Sequence, residues 1–166
     1  WPDYHGARPL SDAEHFTFPG QHPPGALLAR HPGVPQAPVA HLGVHSSSNG
    51  LAVGGEPFGF CGDVFIAQFG DMTPGSGKVV APVGFKVVRV DPETGVVEDF
   101  AVNRRPGGPA SLTGTAGLER PVAVRFSPDG SELYIVDFGV MTIADEGPMP
   151  VLGTGVIWRV TAEGDR

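Results

Sequence analysis

The stretch Asp63-Val64-Phe65-Ile66-Ala67-Gln68-Phe69-Gly70-Asp71-Met72 decides the fold, because a second version of it follows as Glu132-Leu133-Tyr134-Ile135-Val136-Asp137-Phe138-Gly139-Val140-Met141. The two lie 69 positions apart. Downstream of each comes a matching run, Lys86-Val87-Val88-Arg89-Val90 and Val156-Ile157-Trp158-Arg159-Val160, at a spacing of 70. Upstream of each is a shorter apolar run, Leu51-Ala52-Val53 and Val122-Ala123-Val124. A three-strand unit that recurs with loops between is the signature of a repeat architecture, in which each unit buries its apolar face by stacking on a neighbour.

Working outward, Val64 to Phe69 is apolar at almost every position, which predicts a strand buried on both faces. Gly50 to Val53 precedes it as a strand and Phe85 to Val90 follows. Asp91-Pro92-Glu93-Thr94-Gly95 is a turn, with Pro preset for its second position and Gly for its end. Val96 to Val102 returns as a fourth, more polar strand with Glu98 and Asp99 outward. The second unit opens at Arg120-Pro121-Val122, turns at Ser127-Pro128-Asp129-Gly130 and stops where its own fourth strand is due. Four antiparallel strands graded from buried to exposed describe a propeller blade. The expectation is therefore an all-β chain, part of one β-propeller domain: a loop-rich lead-in over 1–44, a first blade over 45–102 and a second over 118–166.

Composition agrees with long turns between strands. The chain of 166 residues holds 25 Gly and 18 Pro, about twice average usage. Prolines in residues 1–44 are spaced too closely for a helix of useful length, and only Ser11-Asp12-Ala13-Glu14 has a capping-box pattern that could start one turn. Gly25 to Arg30 reads equally as strand or helical turn. Trp1, Tyr4, Phe16 and Phe18 are the expected anchors of this region over a sheet. A net charge of −7 argues against nucleic-acid binding, and no run of 18 apolar residues is present to span a membrane. The lone Cys61 excludes an internal disulfide framework, a cysteine zinc site and c-type haem attachment, and reads as a small buried residue before a strand. The chain starts at Trp1 without Met or signal peptide, and two repeats alone would leave side faces and edges bare. A longer protein holding the remainder of the propeller is expected.

The order His45-Ser46-Ser47-Ser48-Asn49-Gly50-Leu51, Gly62 to Ala67, Gly84 to Val90, Arg120-Pro121-Val122, Ser127-Pro128-Asp129-Gly130 and Leu133 to Asp137 resembles the C-terminal half of the glucose/sorbosone dehydrogenase family. Trp1-Pro2 looks like the end of that family's Asn-Tyr-Gly-Trp-Pro phrase. The resemblance implies a six-bladed β-propeller, periplasmic or secreted, in which many members oxidise sugars with pyrroloquinoline quinone (PQQ) and calcium. It implies a small sugar or alcohol substrate and electron transfer to the quinone. Two departures bear on this. The family's Arg-x-Arg pair appears as Leu118-Glu119-Arg120, so only Arg120 matches, and a lysine closing the preceding blade's second strand appears as Gly70. The general-base histidine belongs to a blade outside this chain, so no catalytic residue is assigned.

Cofactor-binding candidates are therefore Arg120 and His45. PQQ is a flat tricarboxylate that needs cationic side chains, and a guanidinium suits a carboxylate. Arg120 reads either so or as a tie to loop carbonyls between blades. His45 opens a polar run entering a strand, and reads as a ligand contact or as part of a turn that satisfies its own backbone. Asp71 and Asp137, at the ends of second strands, are expected to cap loop amides rather than bind metal. His5, His15, His22, His31 and His41 lack zinc spacing and read as surface residues, so no metal site is assigned. Ser46 to Ser48 make no nucleophile elbow, and Gly75-Ser76-Gly77-Lys78 fails the phosphate-loop spacing. Two competing readings are a non-catalytic propeller used for binding or scaffolding and, with weaker support, a lactonase-like propeller hydrolase.

Overall fold

The computed structural model describes residues 3–72, 81–144 and 146–162, and the chain divides into two units, Trp1–Val39 and Ala40–Arg166. In the first unit a minimal antiparallel hairpin pairs β1 (Tyr4–His5) with β2 (Arg8–Pro9), and one helical turn follows as α1 (Ala13–Phe16). The residue at the N-cap of α1 is Asp12, and it makes no side-chain capping bond. Gly25 to Arg30 is neither strand nor helix. Much of the unit is held by the buried carboxylate of Asp3, which accepts from the amides of Leu27 (2.6 Å) and Leu28 (3.0 Å) and meets His31 Nε2 at 2.7 Å. His31 thus departs from the surface reading, because this pairing and edge-on packing on Tyr4 draw the ring inward. Phe18 is 76% exposed, contrary to the anchoring role expected of it, while Trp1 lies outside the described residues.

The second unit is all-β apart from single helical turns. Its first sheet has the order β3 (Ser48–Val53), β4 (Val64–Gln68), β5 (Lys86–Val90), β6 (Val97–Ala101), antiparallel throughout. After the turn α2 (Ala110–Thr113), β7 (Pro121–Phe126) and β8 (Glu132–Asp137) begin a separate sheet. A small hairpin of β9 (Met141–Ala144) and β10 (Gly147–Pro150) intervenes before β11 (Val156–Thr161) pairs back onto β8. The paired sequence segments therefore build two distinct sheets, of four and three strands, with the same antiparallel order.

Register makes the repeat exact at five positions. Phe65 pairs with Arg89 as Tyr134 pairs with Arg159, Val64 with Val90 as Leu133 with Val160, and Gln68 with Lys86 as Asp137 with Val156. The first strands match differently from the sequence alignment. Leu51 faces Ile66 and Val124 faces Ile135, so Leu51 corresponds to Val124 and not to Val122. The cause is the longer β3–β4 connection, which contains a 3-10 turn, Glu56–Phe58. That extra length puts Phe58 over the core. Cys61 in the same connection is exposed, contrary to the buried reading, because neighbouring Phe60 takes the place against the core and Gly62 turns the chain at φ 88°.

The turn residues act as their chemistry predicts. Asp91 accepts from the Glu93 and Thr94 amides and the Thr94 hydroxyl, and Gly95 takes φ 74°. Asp129 gathers Ser127 Oγ and both donors of Ser131, with Gly130 again at φ 74°.

The core lies between the sheets, where β7 packs on β3 and β4. Phe65, fully buried, meets Phe58, Phe60, Phe100 and Phe126 edge to face at 4.8–6.0 Å, so rings from both sheets form one cluster. The backbones approach closely at Gly50, where an added Cβ would stand 2.8 Å from Ala123 Cα. Beside that contact Arg125 Nη1 reaches the Leu51 carbonyl at 2.7 Å.

Two outcomes follow. Gly50→Ala must push β3 off β7 and is expected to lower stability in urea by about 1–3 kcal/mol. Gly55→Ala, whose new methyl meets nothing closer than 3.6 Å, should stay within about 0.5 kcal/mol. In the first unit, the Leu27 amide first, then that of Leu28, then His31, hold the Asp3 carboxyl below its ordinary value. A folded-state value below the unfolded one stabilises above the unfolded pKa of about 4, and that contribution is lost as pH falls through the folded value. Protection factors of the Leu27 and Leu28 amides should fall in that window in the wild type, and be low and insensitive to pH there in Asp3→Ala.

Candidate functional site

β4 and β8 finish, and β5 and β11 begin, at the same end of the two sheets. The backbone leaves each second strand alike. Phe69 N donates to Ser47 O at 3.0 Å, and Phe138 N donates to Arg120 O at 2.9 Å. By this geometry Ser47 and Arg120 hold equivalent places. The loop of His45 and the loop of Arg120 are therefore one structural position seen twice, which the sequence alone did not reveal because its first-strand alignment was displaced.

In the second sheet that loop is fixed by Asp137, the last residue of β8. Its buried carboxylate accepts from the amides of Glu119 and Arg120 (2.8 Å each) and Gly139 (3.0 Å), with Trp158 Nε1 at 3.4 Å. This is the expected amide-capping role. Asp71 caps as well, accepting from Val83 N at 2.8 Å through Oδ2. At the position matching Asp137, Gln68 is also buried, and among the described residues its amide reaches Ser48 Oγ alone, at 3.4 Å.

Arg120 is 4% exposed. Its guanidinium lies between the rings of Phe69 (4.9 Å) and Phe85 (5.0 Å), and Nη1 donates to the Asp71 carbonyl at 3.1 Å. Nε is buried without an acceptor among the described residues. Burial pushes the guanidinium pKa down, and the charges of Asp71 and Glu119 oppose that shift. Stacking on two aromatic faces in a desolvated setting is worth about 2 kcal/mol and offsets part of the burial cost. Arg120 thus ties the residue before β7 to a backbone carbonyl in the segment after β4.

Beside it opens a cleft of about 480 Å³, lined among others by Asp71, Phe85, Leu112, Arg120, Met141 and Ile143. The last two come from the unanticipated hairpin β9–β10. A neighbouring recess of about 440 Å³ is lined by Lys86, Asp99 and Arg105, and Lys86 is paired with Asp99. His45 is exposed and lines neither. It sits at φ 63° in a tight turn, with Ser47 at φ 49°, so the two sequence candidates lie on equivalent loops, two positions out of step, and do not converge on one cavity.

Two departures noted in the sequence have physical reasons. Gly70 lies at φ 97°, and a Cβ there would enter the Phe85 ring, so no lysine can occupy the position without moving Phe85. Leu118 is part of the apolar core, with its amide and carbonyl bonded to Asn103 at 2.8 Å each. Elsewhere Asp12, Glu14 and His15 bring ligand atoms within 4.8 Å of one another, but at an exposed turn where His15 simply pairs with Asp12 at 2.9 Å. The Gly75-Ser76-Gly77-Lys78 stretch lies outside the described residues.

The Asp137 hub should be costly to break. Asp137→Ala leaves several buried amides without an acceptor, each worth about 1–3 kcal/mol, so a loss of roughly 3 kcal/mol or more is expected in urea unfolding. Asp137→Asn, which keeps one oxygen, should lose less than the alanine variant.

Comparison with known proteins returned no matching family model, no matching curated protein and no matching solved structure.

Proposed function

We propose that this chain supplies two adjacent blades of a β-propeller of the glucose/sorbosone dehydrogenase type, and forms part of the pocket wall of a sugar- or aldose-oxidising protein. One observation carries the reading. Two sheets of like register present their loops at the same end, and the cleft around buried Arg120 opens there. In this reading the guanidinium offers charge to a ligand carboxylate or carbonyl from a place fixed by Phe69, Phe85 and Asp71. Phe85, Leu112, Met141 and Ile143 give an apolar flank suited to a flat ring or sugar face.

The residues described here do not by themselves fit PQQ. Three carboxylates call for several cations, whereas the cleft lining holds one guanidinium and the opposing carboxylate of Asp71. Asp137 spends both oxygens on amides and indole, which leaves it poorly suited to calcium. Any quinone, metal and general base would be held mainly by other parts of the protein, and no chemical step is assigned to this chain.

The second reading is a non-catalytic binding propeller. The sealed Gly70 position and the core placement of Leu118 favour it, since both remove cations that the resemblance would supply. The test is dye reduction with aldoses on the whole encoded protein after addition of PQQ and calcium. Sugar-dependent reduction, lowered at least about tenfold by Arg120→Met, is expected if the first reading holds. Absence of PQQ uptake and of dye reduction in a folded protein would leave the binding propeller.

A further inference from the structure

The guanidinium of Arg120 is short of hydrogen-bond partners. Nη1 donates to the Asp71 carbonyl, Nε is buried without an acceptor, and Nη2 makes no hydrogen bond among the described residues. Nε and Nη2 share one edge of the group, where their N–H bonds run parallel and match the two oxygens of a carboxylate. We propose that the cleft beside Arg120 binds a small monocarboxylate with an apolar body, its carboxylate seated on this edge. The inference keeps from the reading above only that the cleft holds a ligand. It does not depend on sugar oxidation and holds equally for a binding propeller.

Geometry selects a planar acceptor. The rings of Phe69 and Phe85 lie over the guanidinium at 4.9 and 5.0 Å, so its faces are taken and its rim is left for bonding. A buried N–H without an acceptor is costly, and the tie to Asp71 does not relieve it because that bond uses the other nitrogen. An acceptor carried in by a ligand removes that cost.

Charge sets the number of anionic groups. Among the described residues of the lining, Arg120 is the only cation, and Asp71 brings an opposing carboxylate. One negative group is balanced, whereas a second or third would face Asp71 without a partner. This is the point at which the cleft departs from a tricarboxylate such as PQQ. The remainder of the ligand meets Phe85, Leu112, Met141 and Ile143, in a volume of about 480 Å³ that suits a molecule of one or two rings.

The experiment titrates the whole encoded protein with trans-cinnamate and hexanoate, following heat and side-chain methyl shifts. Cinnamamide serves as the neutral isostere, and benzene-1,3,5-tricarboxylate and PQQ as the tricarboxylates. Saturable binding of a monocarboxylate is expected, with shifts on the methyls of Leu112, Met141 and Ile143. The amide and both tricarboxylates should bind at least about tenfold more weakly. Arg120→Met should abolish the binding. Because Arg120 also braces the fold, a second pair of variants alters charge at the rim. Leu112 is 80% exposed, so Leu112→Glu leaves the packing intact and should weaken the monocarboxylate about threefold at low salt, while Leu112→Lys strengthens it. The proposal is overturned by absence of binding, by an amide that binds as tightly, by preference for either tricarboxylate, by shifts away from the cleft, or by indifference to charge at 112. PQQ uptake without monocarboxylate binding sinks this inference and leaves sugar oxidation standing. Monocarboxylate binding without dye reduction does the opposite.

Discussion

Two sheets with one apolar face each are stable together only if those faces exclude water, and here that depends on how closely β3 approaches β7. Gly50 permits the approach, because any side chain there would occupy the space of Ala123. With the backbones in contact, rings carried by different segments can meet. Phe58 arrives from a 3-10 turn, Phe100 from the last strand of the first sheet and Phe126 from the second sheet, all around Phe65. Such edge-to-face pairs add about 0.5–1.5 kcal/mol each beyond burial. The contact at Gly50 is thus the geometric condition for the aromatic core.

The seam also positions the cleft. Asp137 holds the backbone of Glu119 and Arg120, so the side chain of Arg120 leaves β7 in one fixed direction. That direction crosses the seam to the Asp71 carbonyl and between two rings of the first sheet. Phe85 can lie there because Gly70 offers no side chain, and Gly84 at φ 90° packs directly on Gly70. Two glycines, two phenylalanines and one arginine therefore form a single joint. Changing any member toward a longer side chain disturbs the others.

The strands were legible in the sequence because their apolar runs are long, β-branched and bounded by turns with specific chemistry, such as Ser127 to Gly130. Less legible were features whose cause is a distant contact. The equivalence of Leu51 with Val124 depends on ladder register, which local similarity between Leu51-Ala52-Val53 and Val122-Ala123-Val124 disguises. The β9–β10 hairpin includes Pro148 and Pro150, residues that normally argue against a strand, and it survives as an isolated two-stranded pair. Inward placement of His31 required knowing that Asp3 would be buried with it, 28 residues earlier in the chain. Of the candidate site, the identity of Arg120 was readable from its phrase, but the stacking rings and the tie to Asp71 were not.

The same loop position does different work in the two sheets, and this explains why neither repeat predicts the other's chemistry. In the first, Ser46 to Ser48 fill it with hydroxyls that bond locally, Ser46 Oγ to Ser48 Oγ at 3.1 Å, and Gln68 closes the strand. In the second, an ionised donor fills it and a carboxylate closes the strand. A carboxylate accepts several amides at once where a carboxamide offers one oxygen. Asp137 can therefore brace a loop that carries a buried cation, while Gln68 suffices for a loop of small polar residues. The scaffold constrains backbone path and register, and the residue ending the second strand decides how much charge the adjoining loop can hold.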